Sequence, residues 1–116
     1  MEEGFDLVFR ITYLIKREDI FMNNVINELN LLKKELYDVA KELQNQLPAH
    51  NLAFFKELVD NSEIGLGVET LLEQIEDYDI AITNRCYQIL KKAASDILDD
   101  SYFNSIKILP NNDEAL

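Results

Sequence analysis

Between Ile20 and Leu47 the apolar residues fall along one side of a helix. Phe21, Val25, Leu29, Leu32, Leu36, Val39, Leu43 and Leu47 recur at steps of three and four, the period of a single helical face. Asp19 stands where an N-cap is expected, and Pro48 stops the run. At about 1.5 Å per residue this helix would be roughly 42 Å long, more than a domain of this size is wide. It is therefore expected to project or to bend near its asparagines. A short helix over 51–59 follows, burying Leu52, Phe55, Leu58 and Val59. Ile64, Val68, Leu71, Ile75 and Tyr78 repeat the helical period. Ser62 precedes them as the expected cap, with Glu63 in the first turn, where a negative charge suits the helix dipole. The paired glycines Gly65 and Gly67 predict either a close backbone crossing or a frayed first turn. A last helix is expected from Asn84 to Leu98, capped by Thr83, with Cys86, Ile89, Leu90, Ala93 and Ile97 facing inward.

Residues 5–15, FDLVFRITYLI, read two ways. Apolar side chains alternate, which is a strand pattern. They are also dense enough for a buried helix, and a lone strand cannot stand. The expectation is helix, with a short strand pair between 5–15 and 105–109, or pairing with a second copy, left open. The fold class that follows is all-α. It is a compact bundle of four to five helices in one domain, residues 1–116, with 1–21 as an N-terminal extension and 111–116 as a polar, frayed tail.

Composition narrows the function. The chain of 116 residues is 47% apolar and holds 22 acids against 11 bases, a net charge of −11. Nucleic-acid binding rests on neutralising phosphates with Lys and Arg, so no direct nucleic-acid contact is expected. The anionic inner leaflet of a membrane is disfavoured by the same repulsion. A cationic protein partner is favoured. One Cys excludes an intrachain disulfide, and the start Met-Glu-Glu lacks the basic region of a secretory signal. The expected location is the cytoplasm.

The charge is most lopsided over 57–83, which carries eight acids and no Lys or Arg. Glu69, Glu73, Glu76 and Asp77 share a helical face. Like charges at i,i+4 repel by roughly 0.2–0.5 kcal/mol per pair, and no base is interleaved to relieve them. A solvated, solubilising face is the plain explanation. A surface for a basic partner is the sharper one, comprising Asp60, Glu63, Glu69, Glu73, Glu76, Asp77, Tyr78 and Asp79. Tyr78 sits there as an aromatic anchor.

Catalytic chemistry is sparse. The single His50 follows Pro48 in a turn. The single Cys86 lies on a core face, where it acts as a small apolar group. Zinc needs clustered Cys and His, and Gly65-Leu66-Gly67 lacks the strand and Lys of a phosphate loop. No metal, no cofactor and no enzymatic activity are expected.

The run EIGLGVETLLEQIEDYDIAITNRCYQILKKAASDI resembles the core of small bacterial immunity proteins of the MafI type, also found in contact-dependent growth inhibition systems. The likeness rests on Glu63 to Glu69, Tyr78 to Ile82 and Tyr87 to Leu90. Gly67 stands where the family favours Ala, and Ala81 where it favours Pro. The resemblance implies an immunity protein that stays in the producing cell. It would bind and neutralise the C-terminal domain of a cognate toxin, often a nuclease. A basic nuclease cleft would complement the acidic face. A different function class, a helical dimerisation or adaptor module, would pair the apolar stripe of 20–47 with a second chain.

Overall fold

The computed structural model describes the backbone of residues 2–110 and the side chains of 22–110. The tail 111–116 lies outside the described residues, as do the side chains of the extension 1–21. Contacts divide the chain into two units, Met1–Leu32 and Lys33–Leu116. The first unit is the N-terminal part of a single helix, α1 (Glu2–Glu42). The alternating segment 5–15 is thus helical in its backbone, and Asp19 lies inside a helix rather than capping one.

The second unit begins with the C-terminal part of α1. It adds α2 (Ala49–Asp60), α3 (Ile64–Asp77) and α4 (Asn84–Ala94), with a short 3-10 turn at Asp100–Tyr102. Two strands of two residues each, β1 (Ala81–Ile82) and β2 (Lys107–Ile108), pair in parallel. The chain is all-α apart from this pair. The 105–109 segment does contain a strand, but its mate is β1 and not 5–15. Residues 5–15 cannot offer a strand edge, because their backbone groups are already committed to the helical ladder.

α3 packs against both α2 and α4. Its expected stripe is buried at Ile64, Val68, Leu71 and Ile75, while Tyr78 is 53% exposed because the helix has ended. α1 ends at Glu42 and not at Pro48, so Leu36 and Val39 lie on it while Leu43 and Leu47 lie in the turns beyond. All four are buried in the same core with Phe55, Val59, Ile82 and Leu90. No polar or charged residue is buried among the described residues.

The helix ends carry most of the departures from the local rules. α2 and α3 both close in Schellman motifs. Glu63 N–H donates to Leu58 O at 2.8 Å, and Ser62 N–H to Val59 O at 3.0 Å. Ile80 N–H donates to Ile75 O at 2.9 Å, and Asp79 N–H to Glu76 O at 3.0 Å. Such a closure places one residue in the left-handed region, here Ser62 (φ 63°) and Asp79 (φ 53°). Ser62 therefore ends α2 and does not cap α3. Glu63 occupies the N-cap of α3 and offers no side-chain bond there. Thr83 caps α4 as expected, its Oγ1 accepting from Cys86 N–H at 3.2 Å.

The glycines meet side chains and not a crossing backbone. A Cβ on Gly65 would lie 2.8 Å from Ile97 Cγ2, and one on Gly67 3.5 Å from Leu58 Cβ. Ile97 itself, expected inside α4, lies past the helix end and is 65% exposed.

Candidate functional site

α3 has no Lys or Arg along its 14 residues. Its buried stripe uses one side. At about 100° per residue, Leu66, Glu69, Glu73, Glu76 and Asp77 fall together on the opposite side. Glu73, Glu76 and Asp77 are exposed and Glu69 is half-buried. Anchoring against α2 and α4 holds this face in place.

The eight expected site residues separate into two groups. Asp60 accepts a hydrogen bond from the Tyr37 hydroxyl, and its backbone oxygen accepts from Lys33 Nζ at 3.2 Å. Asp79 pairs with Lys107 Nζ of β2 at 2.5 Å. Glu69 accepts from the Tyr102 hydroxyl at 3.2 Å. These carboxylates have partners within the second unit. Glu73, Glu76 and Asp77 have no cationic partner among the described residues. Tyr78 stands exposed at the end of their helix, and Glu63 is exposed at its start.

The surface also includes residues that the sequence pattern did not single out. Tyr102 comes to Glu69 from the 3-10 turn. Its phenol is held above the ordinary value of 10.0, first by the charge of Glu69, then by the hydrogen bond to it, with Glu73 and Asp99 adding to the effect. Asp99 thus belongs to the same negative field. Leu66, 50% exposed, places an apolar side chain beside the acids. Its place off the 64–68–71–75 stripe was a signal that it faces outward.

Elsewhere in the second unit, ion pairs join its elements. Arg85 reaches Asp38 at 3.3 Å and Glu42 at 3.7 Å, and Lys92 reaches Glu35 at 3.0 Å, linking α4 to the C-terminal part of α1. An open groove of about 570 Å³ between α1 and α2 is lined by Lys41, Lys56, Asp38 and Asp60. Its mixed charge sets it apart from the acidic face of α3. His50 is exposed in the first turn of α2. Cys86 is buried, and its thiol donates to Glu42 Oε2 at 2.6 Å. Among the described residues no cluster of His, Cys, Asp or Glu could hold a metal ion, and no helix is long and apolar enough to cross a membrane. No family model, curated protein or solved structure matches the chain.

Proposed function

We propose that this protein binds and neutralises a cognate toxin domain with a basic surface, a nuclease, through the outer face of α3. The observation that carries the reading is the set Glu73, Glu76 and Asp77, exposed on a helix without Lys or Arg and without a cation partner among the described residues. Three neighbouring carboxylates with no counter-charge repel one another, and a cationic partner removes that cost. A nuclease cleft must attract phosphate, so it supplies such a charge. The sequence resemblance to immunity proteins of the MafI type points the same way.

The roles divide by geometry. Glu73, Glu76 and Asp77 meet the cleft, with Tyr78 as aromatic anchor and Leu66 as an apolar contact. Asp60, Glu69 and Asp79, which have partners at home, contribute to the field that steers encounter. Glu63 contributes from the start of the helix. Association driven this way is fast and weakens with salt. The role requires no catalytic group and no cofactor, and it is performed in the cytoplasm of the cell that makes the toxin.

The test is the triple reversal Glu73→Lys, Glu76→Lys, Asp77→Lys. Binding to the toxin domain encoded beside this protein is measured by calorimetry, and protection by growth of toxin-expressing cells. The expected loss of affinity is on the order of a hundredfold or more, with an unchanged circular dichroism spectrum. Full affinity in a folded triple variant would sink the acidic-face reading.

A further inference from the structure

The first unit raises the question of what covers its apolar residues. It is a stretch of about 30 helical residues, and an isolated helix in water is marginal without a packed face. Yet it is strongly apolar. Met22 is 53% exposed, Val25 41% and Ile26 49%, and at about 100° per residue the three share one side. A contiguous apolar surface on a helix marks an interaction site.

The spacing identifies the occupant. Counting from Val8 in alternate steps of three and four, every position as far as Leu43 is apolar except Glu18. This is a heptad repeat sustained over five turns of the pattern, the signature of a coiled-coil seam. A period of 3.5 differs from the 3.6 of a straight helix, so only a helix with the same repeat follows such a seam along its length. The helix known to carry it is α1 itself. The last three seam residues, Leu36, Val39 and Leu43, are already buried in the core of the second unit. Of the earlier seam positions whose side chains are described, Met22 and Val25 are exposed and Leu29 and Leu32 half-buried, so pairing falls to the repeat before Leu36, and the 36–47 part of the apolar stripe is not free for it.

We propose that a second copy of this chain pairs with the first along the Val8–Leu32 seam of α1. Seven apolar seam residues per helix, at the roughly 60–120 Å² that burying each one implies, would remove on the order of 1,000–1,500 Å² from water. That reaches the size of a stable protein interface, about 1,200–2,000 Å². A membrane surface is a poorer occupant, since residues 1–32 hold six acids against three bases and the anionic leaflet repels them. Glu18 is the one polar seam residue. Such a position specifies register at a cost in stability, so its removal should tighten the pair.

The pairing is independent of the toxin reading, because α3 takes no part in it. The test is sedimentation of the full chain at concentrations up to on the order of 100 µM, alone and with Val25→Asp plus Leu29→Asp. Neither residue is in the buried core of the second unit. The expected result is a dimer that becomes a monomer in the double variant, with loss of part of the helical dichroism and an intact unfolding transition for the second unit. Glu18→Leu should lower the dimer dissociation constant about tenfold or more. A wild-type monomer throughout this range would overturn the proposal. So would a dimer unmoved by both changes, or capture by zwitterionic vesicles in place of self-association.

Discussion

Cys86 offers a measurable consequence of burial. The side chain is 1% exposed, and its thiol donates to Glu42 Oε2 at 2.6 Å. Burial in the core pushes the thiol from 9.0 up to about 11. The hydrogen bond to Glu42 adds to this, and the one from Thr83 partly opposes it. The folded state thus holds the proton more tightly than the unfolded chain does. Below pH 9 both states are protonated and this contribution is fully present. Between pH 9 and 11 the unfolded chain releases its proton first, so stability falls as pH rises. Two pH units correspond to about 2–3 kcal/mol. The assay is urea unfolding of the wild type and of Cys86→Ala at pH 8 and pH 11. Groups common to both proteins, including Tyr37 and Tyr102 with their acid-raised phenols, cancel in the difference. At pH 8 the variant should be less stable by about 1 kcal/mol or more from the lost packing. At pH 11 the difference should shrink or reverse by about 2–3 kcal/mol. Alkylation gives a second readout. Ionisation alone should slow the folded thiol about a hundredfold relative to the unfolded one, since only the thiolate reacts. A stability difference that is flat with pH, or a folded thiol that reacts at the unfolded rate, would refute this account.

Three further changes probe the helix ends and the packing under α3. Ser62→Gly relieves a left-handed backbone (φ 63°) and should raise stability by about 1 kcal/mol, seen as a higher urea midpoint at constant slope. Gly67→Ala places a Cβ at an ordinary 3.5 Å from Leu58 and gains helix propensity, so it should stabilise by about 0.5–1 kcal/mol. Gly65→Ala meets Ile97 Cγ2 at 2.8 Å and should lose most of that gain, because the Ile97 side chain must shift. A larger gain at Gly65 than at Gly67 would contradict the packing described for Ile97.

Local rules determined much of this protein. The 3.6-residue stripe of α3 and the Thr83 cap of α4 depend on residues within a few positions of one another, so the chain alone displays them; it did not display the end of α1 at Glu42, short of Pro48. The clustering of Glu69, Glu73, Glu76 and Asp77 on one face follows from the same period. Residues 5–15 were ambiguous for a physical reason. Apolar side chains so dense satisfy a period of 2 and a period of 3.6 together, and only the observed backbone separates the two. Ser62 is an equally good N-cap or left-handed terminator by residue type, and hydrogen bonds back to α2 decide between them. The pairing of β1 with β2 joins segments about 25 residues apart, beyond the reach of any local pattern. That distance also decides the electrostatics. Lys107 answers Asp79, Tyr102 answers Glu69 and Tyr37 answers Asp60 across the fold, while Glu73, Glu76 and Asp77 are left facing solvent. The sequence by itself determined that negative charge is concentrated here; tertiary structure alone decided which carboxylates have partners, because such partners come together only when distant elements pack.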